Sequence, residues 1–156
     1  MLGIKCRCYR NTGPWGTPVW DEIKNISDFQ IDPKWAFGEA KIRATRVSMV
    51  APTTLTCAVT GKMLKDNADT DFIAFNTAFQ TAASLDLLIL DGAKDFAGAD
   101  GVRGYFYLEG WTESQGTGDI VYKDFGLSPA LPTDGNYLKF ATVAVGGASI
   151  TYTDPG

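Results

Sequence analysis

Seventeen glycines and seven prolines punctuate this chain of 156 residues, about one in every six or seven positions. Both residues mark turns and interrupt long helices, so the chain is restricted to short elements, and strands are favoured over helices. Hydrophobic residues at 45% and aromatics at 12% supply a packed interior. A chain of this size is expected to form one domain, residues 1–156, burying about two-thirds of its unfolded surface.

Strand patterns follow. Ile4, Cys6 and Cys8 alternate with Lys5, Arg7 and Tyr9, the period-2 pattern of a half-buried strand. Asn11-Thr12-Gly13-Pro14 is a turn, and Val19 to Lys24 and Ile26 to Ile31 read as an extended stretch broken near Asn25. The clearest strand is Thr54 to Met63: Leu55, Cys57, Val59 and Met63 share one face, and Thr54, Thr56, Ala58, Thr60 and Lys62 the other. Leu85 to Leu90 is apolar enough to be buried on both faces. Further strands are expected at Arg103 to Glu113, with Tyr105, Tyr107 and Trp111 at alternate positions, at Asp119 to Leu127 and at Tyr137 to Val145. A Gly146-Gly147 tail then closes the chain.

One helix is predicted over about residues 70–83. Asp69 or Thr70 can cap it, Asp71 suits its first turn, and Phe72, Phe75, Phe79 and Ala82 recur on one face. Between about 32 and 53 the pattern turns irregular, with Trp35, Phe37, Glu39, Lys41, Arg43 and Arg46 interleaved. Aromatics among charges argue against a plain linker, so this segment is an arm, for which a hairpin is one form. The fold class is mainly β: a β-sandwich or partial barrel of about seven or eight strands with one helix.

Little in the residues points to catalysis. Histidine is absent, which removes the commonest general base and metal ligand together with any Ser-His or Cys-His nucleophile system. Cys6, Cys8 and Cys57 are odd in number and have no histidine or fourth thiol to complete a zinc site. They read as small strand residues made in a reducing cytoplasm. Asp66 to Asp71 lacks the calcium-loop pattern, having Ala68 at the third position and Thr77 at the twelfth. Asp91, Asp95 and Asp100 read as solvated turn residues. Glu109 and Glu113 share a face of a straight strand about 13 Å apart, too far for a glycosidase pair. Trp15, Trp20, Trp35 and Trp111 leave open a sugar-stacking surface on a monomeric carbohydrate-binding β-sandwich. No cofactor and no metal are expected, nor is an enzyme.

The net charge of −4 opposes ordinary nucleic-acid binding and is unevenly spread. Residues 1–46 hold eight Lys/Arg against five Asp/Glu, while residues 47–156 hold six against thirteen. No signal-peptide pattern opens the sequence and no apolar run approaches the ~20 residues of a membrane helix, so no membrane anchoring is expected.

The order of features resembles the phage tail tube (major tail) protein family, of siphophage or prophage type. Tyr9-Arg10-Asn11-Thr12-Gly13 with Trp20, Ile26 and Asp28 is similar to that family's first hairpin, and Gly38-Glu39-Ala40 to the entry of its long arm. Met63 to Phe72 is similar to its strand-to-helix junction. Leu88-Ile89-Leu90-Asp91-Gly92 and Gly101-Val102-Arg103-Gly104 are similar to its later strands, and Gly118 to Asp124 with Leu127-Ser128-Pro129-Ala130 to its closing segment. The resemblance spans residues 1–135 and rests on order and spacing.

It implies a structural subunit of the virion tail, assembled in the host cytoplasm as homohexameric rings stacked around a channel for DNA passage. The implied partners are other copies of itself, tape-measure, tail-tip and terminator proteins, and DNA in non-specific transit. A tube subunit of a contractile injection or type VI secretion system is the related alternative. On this reading Trp35, Phe37, Glu39, Lys41, Arg43 and Arg46 form the ring-stacking arm. Thr54, Thr56, Thr60, Lys62, Glu109, Glu113, Asp119 and Asp124 are the candidates to face the channel, where acidic groups would repel phosphate.

Overall fold

In the computed structural model the described residues are 6–41, 48–115, 118, 120–145 and 149–155. In chain order they form β1 (Arg7–Asn11), β2 (Trp20–Glu22), β3 (Ile26–Lys41), β4 (Ser48–Leu64), α1 (Thr70–Thr81), β5 (Leu85–Leu90), β6 (Asp100–Gln115), β7 (Val121–Pro129), β8 (Lys139–Val143) and β9 (Ile150–Thr153). The mainly-β fold with a single helix is as the sequence predicts. Its nine strands form one antiparallel sheet in the order β2-β1-β5-β6-β7-β4-β3, with β8 pairing β6 and β9 pairing β8. Nine strands exceed the expected seven or eight because the stretch from Val19 to Ile31, read as one, holds β2 and the start of β3, and β9, at four residues, is too short to show a period. What reads as a terminal tail is therefore the second arm of a β8–β9 hairpin.

β5 sits between two hydrophobic cores. Leu87 and Ile89 join the larger one, with Cys8, Cys57, Val59, Met63, Phe106, Phe125 and Leu127. Leu88 and Leu90 join a smaller one with Tyr9, Ala99, Ala141 and Val143. A strand buried on both faces needs a continuous apolar run, and Leu87 to Leu90 is that run. Gly101 permits the close pairing of β5 with β6, since a Cβ there would sit 1.7 Å from the Ile89 carbonyl oxygen.

The helix packs over the larger core. Asp69 is its N-cap and accepts a hydrogen bond from the Asp71 backbone N–H. Phe72, Phe75 and Ala78 are buried, and the Trp111 ring lies 5.6 Å from Phe72 and 6.3 Å from Phe75. The predicted buried face is only half right. Phe79 is 41% exposed, and Ala82 is the C-cap in a left-handed conformation, φ 51°. The buried stripe steps by three from Phe72 to Phe75 to Ala78, and this places Phe79 beyond its edge.

No helix among the described residues is long and apolar enough to cross a membrane. No group of His, Cys, Asp and Glu among them could hold a metal ion.

Candidate assembly surfaces

The segment read as an arm is the outer half of a long hairpin. β3 pairs with β4 from Ile26↔Met63 to Lys41↔Ser48, with register shifts between Ser27 and Gln30 and between Ala36 and Phe37. β4 leaves its other neighbour early: β7 pairs only with Val59 to Leu64. Among the described residues, 48–58 therefore pair with β3 alone, and no strand lies on the outer side of β3. A two-stranded ribbon with both edges unpaired is marginal by itself and is a template for pairing.

Its two faces differ. Residues opposite one another in an antiparallel pair share a face, so Trp35 and Leu55 lie together, followed outward by Phe37 with Pro52 and Glu39 with Val50. This face continues that of Cys57 and Val59, which are 1% and 0% exposed. Beyond them the cover ends: Trp35 is 38% exposed, Phe37 60% and Val50 68%. The outer hairpin thus carries the apolar face of the core strands into solvent. Lys41 is placed by backbone register opposite Ser48. Arg43 and Arg46 lie outside the described residues.

The opposite face is small and polar, as the alternation in Thr54 to Met63 predicts. Thr54, Thr56, Ala58, Thr60 and Lys62 are all exposed. Across the sheet Thr60 meets Gly126 and then Gly110, and Lys62 meets Asp124 and then Thr112. Lys62 also lies 3.9 Å from Asp28. Asp124 Oδ1 is buried, with no hydrogen-bond partner among the described residues.

Glu109 and Glu113 part company. The β6–β7 register skips Glu109 between Leu108 and Gly110, and this β-bulge reverses side-chain parity beyond it. Glu109 stays exposed, whereas Glu113 pairs with Lys123, which in turn pairs with buried Met63. Glu113 accepts from Lys65 at 3.1 Å and bridges Lys123 at 3.2 Å, and these bonds lower its pKa. It therefore does not share the polar face of Thr54, Thr56, Thr60, Lys62 and Asp124. The bulge likewise puts Trp111 on the helix side, out of phase with Tyr107. Asp119 lies outside the described residues.

Three of the tryptophans are engaged within the chain. Trp111 stacks under the helix and donates to Asn76 Oδ1 at 3.1 Å. Trp15 and Trp20 flank the guanidinium of Arg103 at 3.8 Å and 4.9 Å. Of the four, Trp35 alone is exposed, and it lies on the outer hairpin beside Phe37.

The cysteines fill strand positions. Cys8 and Cys57 are buried and Cys6 is half-buried, and burial pushes the Cys6 and Cys57 thiols up to about 11. Burial raises the Cys8 thiol further still. Such thiols stay protonated and make poor nucleophiles near neutral pH.

No family model matches the sequence, and no curated protein does. Solved structures do. The chain aligns with one from the SPP1 tail tube at TM-score 0.64 and 13% identity, covering 82% of this chain and 74% of that one. It aligns with a chain from the tail of an empty gene transfer agent particle, described with C6 symmetry, at TM-score 0.62 and 11% identity. A chain of the native gene transfer agent virion aligns at TM-score 0.61 and 11% identity, and both alignments cover 99% of each chain. At such low identity the likeness speaks to architecture alone: this chain has the fold of phage tail tube proteins.

Proposed function

We propose that this chain is a structural subunit of a phage or phage-like tail tube, with six copies closing into a ring and rings stacking around a channel for DNA. The observation that carries the reading is the outer β3–β4 hairpin, whose core-like face (Trp35, Phe37, Val50, Pro52) is left exposed by the described residues. A lone subunit that exposes such a face and two unpaired strand edges gains by associating with other copies. The C6 symmetry of the gene transfer agent tail supports six as the ring number.

The small polar face supports a channel wall. Thr54, Thr56, Thr60, Lys62, Asp124 and Glu109 would line it, an apolar-poor surface of mixed charge with little to grip a passing phosphate backbone. Glu113 is set aside because it turns to the other side of the sheet. Arm and body also differ in charge: the sequence places Lys41, Arg43 and Arg46 on the arm, while residues 47–156 carry the acidic excess. A head-to-tail stack joins unlike surfaces, and this asymmetry suits one. The role is structural and not catalytic, exerted in the virion tail with tape-measure, tail-tip and terminator proteins as partners.

Deletion of residues 35–49 tests the reading in cells that co-express the cognate tail-tip proteins. The expected result is a folded subunit that no longer forms tubes. Tubes of normal length without the arm would remove it from the stacking contact.

A further inference from the structure

Arg103 is the one cation buried almost completely among the described residues, with 3% of its side chain exposed. It projects from β6 and is fixed by Asp86 of β5 through two bonds, at 3.3 and 3.0 Å. Asp86 Oδ2 also accepts from Asn11 at 2.8 Å, so both carboxylate oxygens are engaged. An ion pair this deep needs every remaining donor satisfied, and here the extra partners come from two distant segments.

The first is the β1–β2 turn. The Trp15 carbonyl accepts from Arg103 Nη2 at 2.9 Å, and the Trp15 and Trp20 rings lie over the guanidinium. The second is β9, whose Tyr152 ring lies 5.0 Å from it. Inside the turn Asn11 Oδ1 accepts from the Gly13 and Val19 amides, and Trp15 also stacks on Tyr105 at 5.0 Å, so Arg103 is one of two side chains that tie it to β6. β9 pairs only with β8, and β2 pairs with β1 at three positions. An open cleft of about 350 Å3, lined by Pro18, Trp20, Ile150 and Tyr152 among others, lies between them.

We infer that Arg103 is the keystone of a two-part latch: it fastens the 12–20 turn and the β9 strand over the smaller core, and the two segments open and close together. The rings of both segments screen the same guanidinium from water, so releasing either one hydrates the cation and weakens its contacts with the other. This coupling is independent of the proposed tube function.

Hydrogen exchange read by mass spectrometry tests it on the full-length protein, with Tyr152→Ala as the milder variant and Arg103→Met as the stronger. In Tyr152→Ala, amides of residues 12–20 and 150–153 are expected to exchange about tenfold faster together, while β4 and α1 keep their protection. Faster exchange at 150–153 with residues 12–20 unchanged would overturn the latch. So would uniform loss of protection across the chain in Tyr152→Ala, since the latch would then not be separable from the core. Arg103→Met, if folded, is expected to loosen the same two segments and no others; loosening of one alone contradicts the proposal.

Discussion

Two ionic sites show how much depends on which face a side chain takes. Arg103 and Asp86 are both nearly inaccessible, so deleting one leaves the other charged in an apolar interior. Asp86→Ala should cost about 3–5 kcal/mol in urea unfolding, far above an ordinary surface substitution. Glu113 is an exposed counterpart. Its pKa is lowered from 4.5 by Lys65 and Lys123, so these contacts favour the folded state above that value and fade as pH falls through the depressed folded one. NMR titration of the Glu113 carboxyl should give a midpoint below 4.5, rising in Lys65→Met. An unchanged midpoint would mean that Lys65 is too solvated to matter. Neither site was legible in the sequence. Arg103 lies in a Gly-Val-Arg-Gly stretch that looks like a turn-flanked strand start, and its partners come from 17 to 88 positions away. A period-2 count puts Glu113 on the face of Glu109, because the residue skipped in the pairing leaves no mark on the sequence.

Elements were easier to read where pattern and burial agree. Thr54 to Met63 alternates without interruption, and its two faces emerge as expected; within Leu85 to Leu90, Leu87 to Leu90 is buried on both sides because two cores flank it. The arm was legible as a special segment, yet its register was not, since pairing across Trp35↔Leu55 is set by the hairpin as a whole. The helix was placed correctly, but its end was drawn from spacing alone, and Ala82 closes it with φ 51°. An alanine in that region costs about 1–2 kcal/mol that glycine avoids. Ala82→Gly is therefore expected to raise stability by about 1 kcal/mol in thermal or urea melts, and a loss instead would show that the cap is not strained. For the hairpin, Trp35→Ser combined with Phe37→Ser should cost the subunit about 1–2 kcal/mol, because Phe37 is 60% exposed but Trp35 is still more than half covered. The same pair should sharply raise the critical concentration for polymerisation, each aromatic anchor contributing about 2 kcal/mol to the contact. Light scattering separates the two effects.

At the scale of the whole molecule, the sheet has one closed region and one open one. β5, β6 and the helix enclose the cores, while the outer β3–β4 ribbon extends beyond them with an apolar face that the described residues leave uncovered. The fold is shared with solved tail tube chains, although identity near one residue in eight or nine erases most sequence signal. The order of turns, strands and helix survives because it follows from hydrophobic period and glycine placement, which tolerate substitution. Residues that would make contacts between copies do not announce themselves, since a face covered only by a neighbour has no signature within one chain. Electron microscopy of the full-length protein, purified after co-expression with the tail-tip proteins that the proposed role calls for, probes this most directly. Six-fold rings or tubes with an open central channel are the predicted result. Dispersed monomers at high concentration, with the arm intact and the tip proteins present, would contradict the account.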